Sequence, residues 1–127
     1  MELIVCKDDL IERVIGSAIE VHRELGPGLL ESVYEQAMMW ELANQGITAR
    51  NQVDVPTSYK GNDLGLAFRA DIIVEDSLIL ELKACSKLES IHLAQIISYQ
   101  RLLQFKRGLL INFNCKLLKD GIKRVSI

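Results

Sequence analysis

The chain is poor in the residues that punctuate or staple a fold: two prolines, eight glycines and three cysteines in 127 residues, with aromatic side chains at only 6%. Cys6, Cys85 and Cys115 are odd in number, widely spaced and set among apolar residues. That pattern fits neither a disulfide framework nor a zinc site, and the three are expected to be reduced core thiols. No run approaches the roughly 20 apolar residues of a membrane span. The opening Met-Glu-Leu-Ile-Val-Cys-Lys-Asp-Asp lacks the basic-then-apolar layout of a secretory signal, so the expectation is a cytoplasmic protein without a membrane partner. There is no glycine loop followed by Lys-Ser or Lys-Thr, no Gly-x-Ser-x-Gly elbow and no paired histidine or cysteine ligands. Disorder is disfavoured by 49% apolar and 25% charged residues, an ordinary globular balance. The length suits one domain, residues 1–127, burying about two-thirds of its unfolded surface.

The formal net charge of −2 hides an asymmetry. Residues 1–82 hold 6 Lys/Arg against 15 Asp/Glu, a balance of −9, and residues 83–127 hold 9 Lys/Arg against 2 Asp/Glu, a balance of +7. A basic half can face phosphates, although on charge alone a solvated face is the favoured reading.

Apolar residues recur at helical spacing as Leu10, Ile11, Val14, Ile15, Ala18, Val21 and Leu25, after Asp8 or Asp9 as a cap. Gly26-Pro27-Gly28 should stop this helix, and His22 within it reads as a packing or surface residue. A second helix is expected from about Leu29 to Gln45, burying Leu30, Val33, Tyr34, Ala37 and Trp40. From Ile47 the period changes to two, and Pro56 marks an edge or bulged strand. Lys60-Gly61-Asn62-Asp63 should turn it into an antiparallel partner. A third helix, about Ile91 to Phe105, would carry Ile91, Gln95, Tyr99 and Leu102 on one stripe. Arg107 to Phe113 reads as an apolar strand reached by a crossover, Lys119-Asp120-Gly121 as a turn, and Ile122 to Ile127 as a last strand.

The stretch that stands out is Phe68-Arg-Ala-Asp71-Ile-Ile-Val-Glu75-Asp76-Ser77-Leu78-Ile-Leu-Glu81-Leu82-Lys83. Two apolar strands joined by an acidic turn carry Asp71, Glu81 and Lys83 where burial should be deepest, and an unpaired buried charge costs about 3–5 kcal/mol. A two-residue loop, Asp76-Ser77, would set Ile72 opposite Glu81. A three-residue loop, Glu75-Asp76-Ser77, sets Asp71 opposite Glu81 instead, and this is the register expected. Lys83, two residues after Glu81, projects from the same face. Two facing carboxylates call for a cation between them or a strongly raised pKa on one. The bland alternative is a cross-strand ion-pair cluster on an open sheet face, which the apolar neighbours Ala70, Ile72, Ile73, Leu80, Leu82 and Ala84 disfavour.

Two carboxylates a few ångströms apart on rigid strands make a hard oxygen site suited to Mg²⁺ or Mn²⁺, and a neighbouring lysine can orient water or offset transition-state charge. Those parts describe phosphodiester hydrolysis. Asp71 with Glu81-Leu82-Lys83 also matches the Asp…Glu-x-Lys signature of the PD-(D/E)xK nuclease superfamily. Gly28-Leu-Leu-Glu31-Ser-Val-Tyr34 resembles the motif that names its GxxExxY family, and Gln95-x-x-x-Tyr99 adds to the likeness, which runs from Ile15 to Asn114.

The resemblance implies an α/β, restriction-endonuclease-like core: a mixed β-sheet flanked by helices in α-α-β-β-β-α-β-β order. It implies that Asp71 and Glu81 ligate the metal with the Leu82 backbone carbonyl, that Lys83 is the catalytic lysine, and that Glu31 is an auxiliary acid in the ligand shell. Gln95 and Tyr99 would steady the site or touch the phosphate backbone. Tyr34 and Tyr99 read equally well as core aromatics. The expected activity is a Mg²⁺- or Mn²⁺-dependent nuclease acting on nucleic acid, DNA in preference to RNA, with a homodimer left open. The competing expectation is a catalytically silent nucleic-acid-binding or protein-interaction module of the same fold.

Overall fold

The computed structural model describes residues 2–127. Helix α1 (Asp8–Leu25) buries Ile11, Val14, Ile15, Ala18 and Val21 of the stripe its spacing announces, while Leu10 is half-buried and Leu25, at the helix end, is exposed. Lys7 is at its N-cap and makes no side-chain cap. Asp8 and Asp9 therefore lie inside the first turn, where carboxylates meet the positive end of the helix dipole. Gly26 and Gly28 end the helix with φ of 70° and 93°, angles that only glycine takes without strain. His22 is a packing residue, its Nε2 lying 2.8 Å from the Cys115 carbonyl oxygen.

Helix α2 (Glu31–Asn44) starts two residues later than Leu29, and its inner face differs from the expected one. Tyr34, Met38 and Leu42 are buried, while Leu30 and Trp40 are 74% and 65% exposed and Val33 is exposed as well. Apolar residues occur on more than one side of this helix, so periodicity alone could not fix which side meets the sheet.

Five strands follow: β1 (Ala49–Tyr59), β2 (Asn62–Val74), β3 (Leu78–Lys83), β4 (Arg107–Asn112) and β5 (Ile122–Ser126). They form one sheet in the order β1-β2-β3-β4-β5, antiparallel except for the parallel β3–β4 pair, which α3 (Ser90–Leu103) joins as a crossover. This is the mixed sheet flanked by helices expected for a restriction-endonuclease-like core. Pro56 sits on the edge strand at a register shift, where a missing N–H does no harm. Lys119, Asp120 and Gly121 belong to a 3-10 helix (Leu118–Gly121) before β5. No helix among the described residues is long and apolar enough to cross a membrane.

Helix α3 is rotated by about one residue from expectation. Ile96 and Gln100 are buried and Leu103 packs beside them, whereas Ile91 and Leu102 are exposed, as is Gln95. The interior glutamine is thus Gln100, whose amide donates to the carbonyls of Lys106 (3.2 Å) and Val125 (3.3 Å). A Cβ on Gly108 would stand 2.7 Å from Gln100 Oε1, so glycine at that position admits the helix.

Apolar side chains cover both faces of the sheet. One core joins α1 and α2 to Ile72, Val74, Leu78, Leu80, Leu82, Leu109, Ile111 and Phe113, and the other joins α3 to Phe68, Ala70, Ile73, Ile79, Leu110 and Val125. Along a regular strand, alternate residues keep to one face, yet β2 places Phe68 and Ala70 in the α3 core and Ile72 and Val74 in the other. β1 does the same, with Ala49 on the α1/α2 side and Val53 on the α3 side. Both strands change sides at one rung. The pairs Asn51–Ile72 and Val53–Ala70 bracket it without loss of register, and between them stand Gln52, with φ of 49°, and Asp71.

Candidate active site

The β2–β3 hairpin closes with Val74 paired to Leu78 around Glu75-Asp76-Ser77, the three-residue loop. The ladder runs through Ile73–Ile79 to Ile72–Leu80, and the next rung is Asp71 and Glu81. There side chains take over from backbone. The Asp71 N–H donates to Glu81 Oε2 at 2.9 Å, and the Leu82 N–H donates to Asp71 Oδ2 at 2.8 Å. Each carboxylate commits one oxygen to the facing strand, and among the described residues its second oxygen accepts no hydrogen bond. The strands part at this point, and the gap is lined by acid.

The pair is short of compensating charge. Burial pushes the Glu81 carboxyl up to about 8, aided by the charge of Asp71 and opposed by its bond from the Asp71 amide and by Lys83. Burial likewise raises Asp71 to about 6, against the Leu82 hydrogen bond, with Glu31 and Glu35 adding to the rise and Lys83 opposing it. Lys83 stands half-buried at the end of β3 and forms no ion pair with either acid. All five ion pairs among the described residues lie elsewhere, so the charges are not a cross-strand salt-bridge cluster.

Side chains from both helical layers reach this rung. Glu31 is exposed in the first turn of α2 and its charge acts on both carboxyls. From α3, Tyr99 stacks on Phe68 with ring centroids 3.8 Å apart and planes 5° from parallel. Burial raises its phenol pKa, as do Glu81 and Asp71, which puts the ring beside the acids. Tyr34 looks elsewhere: it is fully buried, stacks on Phe113 at 4.5 Å, donates to the Gly26 carbonyl at 2.6 Å and accepts from the Leu29 N–H at 3.1 Å. It ties down the loop that leads into Glu31. Gln95 is exposed one turn before Tyr99, with no hydrogen-bond partner among the described residues.

Two further residues support the site, and sequence reasoning passed over both. Asn112, paired with Lys83 in the β3–β4 register, is buried. Its Nδ2 donates to the Cys85 carbonyl at 2.9 Å, and its Oδ1 accepts from the N–H groups of Cys85 (3.1 Å) and Asn114 (3.2 Å). The Phe113 N–H donates to the Lys83 carbonyl at 2.9 Å, so the chain on both sides of Lys83 is fixed. Glu35, one turn beyond Glu31, accepts from Asn51 Nδ2 (3.2 Å) and Gln52 Nε2 (2.6 Å). A polar residue closing an apolar strand was the available signal for Asn112. For Glu35 the signal was its helical spacing from Glu31.

One buried and one half-buried carboxylate, each with an uncommitted oxygen and each held back from ionising chiefly by desolvation, suit a hard divalent ion. Among the described residues no group of three His, Cys, Asp or Glu side chains is close enough to hold a metal. Beyond Asp71 and Glu81, donors would therefore be backbone carbonyl, water or a phosphate oxygen, as Mg²⁺ prefers.

No curated protein and no solved structure shows significant similarity to the chain. A family model described as the PD-(D/E)XK nuclease superfamily matches residues 8–125, which include every residue of the acidic rung and both helical layers beside it. The chain belongs to the PD-(D/E)XK nuclease superfamily.

Proposed function

We propose that this protein is a divalent-metal-dependent nuclease that hydrolyses phosphodiester bonds in DNA, that it falls in the GxxExxY branch of its superfamily, and that residues 1–127 work as one catalytic domain. The observation that carries the proposal is the Asp71–Glu81 rung: two acids converge in a gap between strands, beside a lysine that is not spent on neutralising them. A structural ion pair would have brought Lys83 into contact. A binding platform has no use for two desolvated carboxylates facing a polyanion.

In this reading Asp71 and Glu81, with the Leu82 carbonyl, would hold a Mg²⁺ or Mn²⁺ ion, and Glu31 would add its negative charge to the ligand shell. The ion supplies a Lewis acid that polarises the phosphodiester and acidifies water. Lys83, held by the Asn112 clamp, orients the attacking water and offsets the charge that builds on the phosphoryl oxygens. Tyr99, braced by Phe68, and the exposed Gln95 border the same opening and contact the backbone of the substrate strand. The free thiols Cys6, Cys85 and Cys115 suit a reducing compartment, the cytoplasm.

The test is incubation of pure protein with single-stranded, duplex and branched DNA, and with RNA, in Mg²⁺ or Mn²⁺, alongside Asp71→Ala and Lys83→Ala. Metal-dependent cleavage by the wild type that both variants lose supports the reading. Cleavage that survives in the variants, or binding of DNA without cleavage under any metal, overturns it in favour of a silent binding module.

A further inference from the structure

Gln52 carries a left-handed backbone (φ 49°) in the middle of strand β1, a conformation that strains a residue with a Cβ. It does so on the rung of Asp71, where both strands of the β1–β2 ribbon exchange sides. The side chain of Gln52 is held by Glu35, whose two carboxylate oxygens accept one from Gln52 Nε2 at 2.6 Å and the other from Asn51 Nδ2 at 3.2 Å. Glu35 thus fastens α2 to the one strained position that faces the acidic rung.

We infer that Glu35 is a positioning residue for the active site: by fixing the left-handed turn at Gln52 it sets the side exchange of the ribbon, and with it the direction in which the Asp71 carboxylate points. A regular ribbon would keep the face assignment of Ile72 through position 70. Asp71 would then leave the gap, and its bond to the Leu82 N–H (2.8 Å) would break. A strained residue held by a neighbour, rather than a glycine that would sit there unaided, makes the geometry depend on α2. The same helix carries Glu31, so one element both fastens the Gln52 turn and brings the Glu31 charge toward the rung.

The kinetic part of the test rests on the nuclease reading, and the spectroscopic part does not. Glu35→Ala should lower kcat about tenfold or more, since small displacements of a reacting group are costly, with KM for DNA little changed. Its Leu82 and Asp71 amide resonances should shift and exchange faster with solvent. Glu35→Gln keeps an acceptor for Gln52 and should stay close to the wild type in both readouts. Adding Gln52→Gly to Glu35→Ala lets the backbone take positive φ without help, and should restore the amide signals and most of the activity. Unmoved Leu82 and Asp71 amides in Glu35→Ala overturn the inference. So does a Glu35→Gln variant as impaired as Glu35→Ala, which would make the charge rather than the fastening responsible. So does failure of Gln52→Gly to rescue. If the wild type cleaves nothing, the nuclease reading falls while the amide signals still decide this one.

Discussion

Asp71 and Glu81 are each other's hydrogen-bond support as well as each other's repulsion: the Asp71 amide donates to Glu81 Oε2 at 2.9 Å, and the Leu82 amide next to Glu81 donates to Asp71 Oδ2 at 2.8 Å. The backbone donors hold the carboxyls in place, while burial and mutual repulsion resist their charge. The site is therefore preorganised but electrostatically incomplete, and its behaviour toward protons and cations follows.

Stability should fall as pH rises. Both folded-state values lie above those of the free groups, 3.8 to about 6 for Asp71 and 4.5 to about 8 for Glu81. The folded chain therefore keeps protons that the unfolded chain releases. Their stabilising contribution is complete below about pH 4 and is lost as pH climbs through 6 to 8, with a slope of up to ~1.4 kcal/mol per pH unit for each proton retained. Urea denaturation between pH 5 and pH 8.5 should show this decline in the wild type, and Glu81→Gln should flatten it.

Mn²⁺ or Mg²⁺ should raise the melting temperature of the wild type more at pH 8 than at pH 6, because cation binding requires ionised carboxylates and displaces their protons. Calorimetry in buffers of different ionisation heat should register that release. Neither effect should appear in Glu81→Ala. A thermal shift of equal size in wild type and variant would place the cation elsewhere.

Lys83→Ala should remove catalysis without removing the cation site. Losing an electrostatic contact of this kind costs on the order of a hundredfold in kcat, while the Mn²⁺-induced thermal shift should persist, because Lys83 binds neither carboxylate directly. Loss of both together would mean that the lysine organises the acids.

Asn112→Leu should destabilise the protein by roughly 1–3 kcal/mol by orphaning the Cys85 amide and carbonyl, and should lower kcat through the loosened Lys83 segment. Gly121→Ala provides a packing comparison: a Cβ there would overlap the Asn112 carbonyl oxygen, forcing backbone movement next to the same clamp. Denaturation curves combined with cleavage rates separate the two effects.

Sequence by itself determined the order of elements, the loop of the β2–β3 hairpin and the rung on which Asp71 faces Glu81. These depend on local matters: apolar period, turn residues and the count of residues in a loop. The interior face of α1 was legible because its polar and apolar sides are distinct. Those of α2 and α3 were not, since both are apolar on several sides and only contact with the sheet selects Tyr34, Met38 and Leu42 or Ile96 and Gln100. Tertiary structure alone decided that Tyr34 spends its hydroxyl on the Gly26 loop, that Lys83 forms no ion pair among the described residues, and that the β1–β2 ribbon changes sides at Gln52 and Asp71. Such features depend on groups 8 to 27 residues apart in the chain meeting in space, as in Tyr34 with Gly26, Glu35 with Gln52 or Asn112 with Cys85, and no periodicity within one segment encodes such a meeting.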